Sequence, residues 1–333
     1  VTHPARTPFP PSDHCDGRRF FNPGEHINRT WFDVLRWKLT SRPAPWPGAV
    51  EIAPPSPPVV PPGGGFIATW VNHASFLLRS AGLNLLVDPV WCARAGPFGL
   101  TGPRRVHPPG VAFEALPAID AILLSHDHYD HCDLATLRRL ARRHPQARLV
   151  TPLGNGDLAR RAGFVSGRIV ELDWWDSFSL GNGRSVRLTP ARHWSNRLHG
   201  LRNRRLWGGF RVDFGGASFH FAGDTGYDAA MFREIRARCG PPDLAALPIG
   251  AYEPRWFMAP QHCNPAEAVR LHLDLGAQAS VAMHWGTFPL TDEGRLEPPA
   301  ALADALVAAG LPPGSFRVLQ PGESVVVTPA SAT

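Results

Sequence analysis

The segment Ser125-His126-Asp127-His128-Tyr129-Asp130-His131 packs three imidazoles and two carboxylates into six consecutive positions directly after the apolar run Ile119 to Leu124. The polar residues therefore stand on a loop delivered by a strand. Several nitrogen ligands with an oxygen ligand suit zinc or a similar first-row divalent ion. One tetrahedral ion cannot use them all. His126 and His128 alternate while Asp130 and His131 lie just beyond, so the loop can face two ions at once, the arrangement of metal-assisted hydrolysis. A solvated loop with chance histidines is the bland alternative, and the abruptness with which the cluster follows the apolar run speaks against it.

Two ions need further ligands, and three residues follow strand-like stretches. Val186 to Thr189 leads to His193, Ser218 to Phe221 leads to Asp224, and Ala279 to Met283 leads to His284. Any one alone reads more readily as a capped turn or a packed histidine. Together with the loop they make seven groups, enough for a dinuclear site.

These residues resemble the metallo-beta-lactamase superfamily, whose signature is an H-x-H-x-D-H loop followed by isolated His, Asp and His ligands in that order. The segments GPRR, LPAIDAILLSHDHYDH, ELDWW, AGDTGY, DLAALPIGAYEPRWFM and HWGTF further resemble its N-acyl-phosphatidylethanolamine-hydrolysing phospholipase D branch, from about Phe66 to Leu306, with a weaker echo at Arg19 to Pro23 and Val34 to Trp37. The specific signal is Gly250 to Met258, which the metal chemistry does not require. The resemblance implies an αββα sandwich within the layered α/β class, two zinc ions or other first-row divalent ions per chain, and cleavage of N-acyl-phosphatidylethanolamine to N-acylethanolamine and phosphatidate by a hydroxide held between the ions. It assigns His126, His128 and His193 to one ion, Asp130, His131 and His284 to the other, and Asp224 to a bridge. His262, beside Gln261 and before a helix start, would contact phosphate or protonate the leaving alkoxide, joining Asp224 and Asp130 in catalysis. Tyr129, Gln261 and Trp194 are candidates for substrate contact. Asp127 is read as orienting the loop, and His73 as a structural or outer histidine.

Composition is compatible with this without being able to produce it. The 333 residues can bury a large core, and no apolar stretch is long enough to span a bilayer. Five cysteines, odd in number and without a C-x-x-C pair, argue against a disulfide framework and for a reducing compartment such as the cytoplasm. Cys132 and Cys263 follow histidines of interest but read as buried thiols. A net charge of +6, carried almost wholly by arginine with Lys38 the only lysine, favours anionic partners. Arg202, Arg204 and Arg205 are the cluster singled out. Genome composition is the competing explanation.

Three stretches organise the chain. Residues 1–42 read as an arm with Trp31, Phe32, Leu35 and Trp37 in a helical patch, 43–65 as a Pro- and Gly-rich connector, and 66–333 as the hydrolase domain. Strands are expected at Ile67 to Val71, Phe76 to Arg79 and Leu83 to Val87, the last two as a hairpin. Helices are expected at Asp133 to His144 and at Pro265 to Leu275, the second capped by Asn264. The arm's aromatics would meet acyl chains at a peripheral membrane surface. A phospholipid is the expected partner, nucleic acid is not, and a homodimer is left open. The runner-up function is hydrolysis of another ester: a lactone, a cyclic phosphodiester or a nucleic-acid phosphodiester. A binding protein with a decayed site would have no reason to keep all seven ligand positions filled.

Overall fold

Successive residues of a strand point to opposite faces, and in the computed structural model of this chain both faces of the strands next to the metal loop are buried. Leu85 and Val87 enter one apolar cluster while Leu86, between them, enters a second; Ala121 and Leu123 divide from Ile122 and Leu124 in the same way. The run Ile119 to Leu124 is continuous rather than alternating for that reason. The structure describes residues 8–24, 29–53, 55–56, 58–197 and 202–329, with the side chain of Trp31 outside the description.

Among the described residues, fourteen strands form two seven-stranded sheets. The first contains β1 (Phe66–Asn72), β2 (Ser75–Ser80), β3 (Leu83–Val87), β4 (Ala121–Leu123), β5 (Arg148–Pro152) and β6 (Ile169–Leu172). The second contains β7 (Ser177–Gly181), β8 (Arg184–Thr189), β9 (Gly209–Asp213), β10 (Ser218–Phe221), β11 (Leu244–Pro248), β12 (Ala279–Met283) and β13 (Phe316–Arg317). The last strand, β14 (Ser324–Val327), returns to the first sheet and pairs antiparallel with β1, Ala68 opposite Val325. The β2–β3 hairpin forms through Ser80-Ala81-Gly82, with Leu78 opposite Leu85. From β3 to β6, and from β10 to β13, neighbours run parallel.

The larger apolar cluster lies between the sheets, where Phe66, Phe76, Phe210, Phe219 and Phe221 are fully buried. Helices α1 (Trp31–Thr40), α2 (Leu134–Arg143), α3 (Gly156–Arg161), α4 (Ala229–Cys239), α5 (Arg255–Met258), α6 (Pro265–Leu275) and α7 (Glu297–Ala308) complete the fold. Leu137, Leu140 and Leu158 bring α2 and α3 against the outer face of the first sheet, and α4 and α6 pack together outside the second. This is the expected αββα sandwich. The carboxylate of Asp133 accepts from the backbone of Ala135 and Thr136 to start α2, and Asn264 with Glu267 forms a capping box at α6.

The residues before β1 are laid over the sandwich. Phe20 is buried, its N–H donates to the Asn203 carbonyl, and His14 stacks on Trp174. Helix α1 leans on α5: Trp37 stacks on Phe257 with 5.0 Å between ring centroids and donates to Asp292, and Arg36 lies over Trp256. Trp37 is thus turned toward the protein, contrary to the expectation that it meets acyl chains. Phe32 and Leu39 are 63% and 77% exposed. The Pro-rich stretch holds no helix or strand among the described residues and is fastened by Ala44 to Asp292 and by Val50 to Val106.

Candidate metal centre

Four strands end at one edge of the sandwich and deliver the seven candidate ligands. The loop after β4 carries His126, His128, Asp130 and His131; His193 follows β8, Asp224 follows β10 and His284 follows β12. In open α/β sheets the carboxyl ends of strands are where ligands bind. Here the ends are bound together by short contacts.

His126 Nε2 and His193 Nε2 stand 3.0 and 3.1 Å from His128 Nδ1. Outer partners turn the lone pairs of His126 and His193 inward, toward His128 Nδ1, while His128 Nε2 has no hydrogen-bond partner. The Ser125 hydroxyl donates to Asp88 and so accepts the His126 Nδ1 proton at 2.9 Å, and His193 Nδ1 donates to the Gln261 carbonyl at 3.1 Å. Burial pushes His193 down to about 3 and His128 to about 4, so both are neutral. Converging lone pairs repel unless a cation sits among them. Ligand bonds of about 2.0–2.1 Å around one ion bring donor atoms to such separations.

The second set converges on carboxylates instead: burial opposes protonation of His131 and His284, but Asp224 and Asp130 raise the first well above its ordinary 6.5 and the second to about 9. His284 Nε2 lies 3.3 Å from Asp130 Oδ2, and His131 Nε2 3.6 Å from the same oxygen. His131 Nδ1 donates to buried Asp88 at 2.7 Å, leaving its Nε2 with no hydrogen-bond partner. One oxygen joins the two sets: Asp224 Oδ2 is 3.2 Å from His131, 3.1 Å from His284, 3.7 Å from His193 and 3.8 Å from His126. Burial opposes ionisation of Asp224, yet His131 and His284 hold it well below the usual carboxylate range. The donor set fits two first-row divalent cations.

The structure places the other sequence candidates unevenly. His262 is buried, its ring 5.1 Å from that of His193 and 5.4 Å from that of His284, with Nδ1 unpartnered. Trp194 and Gln261 line one cavity of about 760 Å³ that reaches His193; Tyr129 lines a separate cavity of about 310 Å³. Asp127 points away from the metal set, toward Arg205 at 3.1 Å and the Asn196 backbone, which makes it a support of the loop. Arg205 is therefore consumed within the protein, Arg202 lies over Trp194 and Arg204 is exposed. Cys132 and Cys263 are buried thiols whose pKa values burial raises. His73 stands beside the second donor set, close enough to share an ion with Asp130, His131 and His284: its Nε2 meets Asp130 Oδ2 at 3.0 Å, and its carbonyl accepts from the His284 N–H.

Two holding residues were not singled out in the sequence. Asp88, just past β3 with φ 39°, receives Ser125 and His131 together. Asn22 clamps His193 from the far end of the chain: its amide donates to the His193 carbonyl at 2.9 Å, and its Oδ1 accepts from the His193 N–H at 3.2 Å. An acidic residue closing the apolar run Leu83 to Val87 was a readable signal for Asp88. Asn22 had only the echo at Arg19 to Pro23.

A family profile described as "Beta-lactamase superfamily domain" matches residues 83–285. The chain belongs to that superfamily. Within it, the chain is 40% identical over 267 residues to N-acyl-phosphatidylethanolamine-hydrolyzing phospholipase D 1 of Caenorhabditis elegans, spanning 78% of this chain and 75% of that one. It is 34% identical over 235 residues to the mitochondrial N-acyl-phosphatidylethanolamine-hydrolyzing phospholipase D of Saccharomyces cerevisiae, spanning 69% and 49%. These relatives place it in the phospholipase D-like branch of the beta-lactamase superfamily. The metallo hydrolase Igni18 of Ignicoccus hospitalis superimposes with a TM-score of 0.60 at 22% identity, over 79% of this chain and 99% of that one, a likeness of fold. The protein is a metal-dependent hydrolase.

Proposed function

We propose that this superfamily member is a zinc-dependent phosphodiesterase of phospholipase D type that cleaves N-acyl-phosphatidylethanolamine to N-acylethanolamine and phosphatidate. The observation that carries the two-ion part is Asp224 Oδ2, one oxygen within reach of ligands from both donor sets. The substrate follows from the relatives named above, whose names carry that reaction. His126, His128 and His193 would hold one ion, Asp130, His131 and His284 the other, with Asp224 between them. A pair of zinc-class ions, when bound, supplies an acidified water and neutralises charge on a phosphoryl group.

The chain's own residues do the rest. Asp88, Gln261 and Ser125 each hold the Nδ1 of one imidazole, which turns its Nε2 inward, and His73 holds the Asp130 carboxylate. Neutral His262, close to Asp224 and His284, is placed to offer an N–H to a phosphoryl oxygen or to the leaving alkoxide oxygen. Trp194, Gln261, Phe20 and Phe21 wall the cavity beside His193, which suits part of an amphiphile; Tyr129 would touch the substrate from the other side.

This reading implies work at a membrane surface. No helix among the described residues is long and apolar enough to cross a bilayer. The net charge of +6 favours an anionic surface.

Product analysis over a panel of phospholipids tests the reading. Phosphatidate with N-acylethanolamine is the expected pair. Free fatty acid or diacylglycerol without phosphatidate would refute the bond choice, and turnover of lactones or aryl phosphodiesters with no lipid activity would favour the wider class of esters.

A further inference from the structure

The GPRR motif ends a loop that the metal chemistry leaves unexplained. Between Arg94 and Arg104, which bridge as an isolated antiparallel pair, the chain makes a closed excursion: Ala95 N–H donates to the Pro103 carbonyl, and Gly99 and Leu100 donate back to Gly96 and Pro97. The neck is too tight for a side chain. A Cβ on Gly102, at φ +83°, would lie 2.4 Å from the Ala95 carbonyl oxygen. At the tip, Phe98 is 81% and Leu100 76% exposed.

Phe98 also has φ 59°, a left-handed backbone that a bulky aromatic residue adopts at a cost. Such strain persists when the surrounding structure enforces it, and here the enforced result is an aromatic ring aimed at solvent. The charges that line the cavity beside it are five arginines and one aspartate, Asp133. The cavity of about 310 Å³ under the tip is lined by Phe98 together with Arg94, Arg138, Arg161, Arg197 and Arg205. Asp127 and Asp157 take Arg205, and Asp157 stands 3.7 Å from Arg161. Asp133 is committed to the start of α2 and to the Trp91 and Cys92 backbone. Arg94 and Arg197 donate to carbonyls, which carry no full charge.

We propose that the Phe98–Leu100 tip and the arginines behind it dock the protein on an anionic phospholipid bilayer, the tip entering the apolar layer and Arg138 and Arg161 meeting lipid phosphates. A rigid apolar tip ringed by guanidinium groups complements such a surface in both polarity and charge. Tyr129 belongs both to this cavity and to the metal loop, so docking here brings the metal centre to the lipid. The inference rests on the lipid-substrate reading for its purpose.

The test is co-sedimentation of the metal-loaded full chain with phosphatidylcholine vesicles, with and without phosphatidylglycerol. The wild-type chain is expected to pellet with the anionic vesicles. Phe98→Gly/Leu100→Ser and Arg138→Glu/Arg161→Glu should each bind them at least about tenfold more weakly while hydrolysing detergent-dispersed substrate at the wild-type rate. Phe98→Gly keeps the left-handed backbone without its strain and should not lower the melting temperature, which separates lost docking from lost folding. Wild-type binding by either variant, equal binding of the wild-type chain to neutral and anionic vesicles, or loss of binding in Phe32→Ser/Leu39→Ser alone would overturn the proposal. So would release by glycerol phosphate beyond that caused by sodium chloride of equal ionic strength, which would mark a free-anion site. Detergent-dispersed N-acyl-phosphatidylethanolamine left intact by the wild-type chain would instead defeat the substrate reading, whatever the vesicles show.

Discussion

Asn22 and Asp88 lie outside the seven candidate ligands, yet each holds one of them in place. Outer partners of this kind typically tune metal affinity by about 10- to 100-fold. Asn22→Ala is therefore expected to weaken retention of the ion at His193 by about that factor, read by competition with a coloured chelator; unchanged retention would make the clamp incidental. His262 is expected to behave differently. His262→Ala should keep its metal by elemental analysis and lose about 10²- to 10⁴-fold in turnover, the range for a missing proton donor, whereas loss of an ion would make it a ligand. The contrast also shows what a sequence reveals at this scale. The seven ligand candidates were legible because each stands in one loop or directly after a strand. Asn22 was not, because its partner lies 171 positions away, and that adjacency exists only after the sheets have closed.

Elements were legible where local chemistry decides them. Asn264, Pro265 and Glu267 mark the start of α6, and β2 and β3 follow from two apolar runs joined tightly through Ser80-Ala81-Gly82. The pairing of β14 with β1 was beyond reach, since the cost of closing so long a loop is set by the whole sandwich. The GAYEPRWFM segment acquires a physical meaning at this scale. Gly250 follows β11 where the chain crosses the backbone after β12, and a Cβ there would lie 2.1 Å from the His284 carbonyl oxygen. Gly250→Ala should displace His284, which already has φ 63°, and so lower metal content and melting temperature together. A variant with both unchanged would show that the backbones can part freely. The Trp256 and Phe257 end of the segment receives Arg36 and Trp37 of α1, so part of the motif serves attachment of the arm.

Over the whole molecule, the N-terminal stretch is coupled to the metal centre through Asn22 and fastened by a titratable pair. Burial works against protonation of His14, but Asp173 at 2.8 Å and Asp13 at 2.6 Å raise its pKa above the ordinary 6.5. Burial likewise opposes ionisation of Asp173, and His14 holds it below 3.8. A raised histidine contributes stability that is complete below its unfolded pKa and is lost as pH rises through the folded value. A lowered aspartate contributes stability that is lost as pH falls through its folded value. The fastening is thus firmest between about 4 and 6.5, and His14→Asn should flatten the fall in melting temperature from pH 6 to pH 8. An identical slope in the variant would mean the pair contributes nothing. The central claim, that seven converging side chains form a two-ion centre, is tested most directly by elemental analysis of the purified, active chain before and after chelation. About two zinc-class ions per chain are expected, with loss of activity and a lower melting temperature as they leave; a chain that remains folded and active without metal would contradict the account.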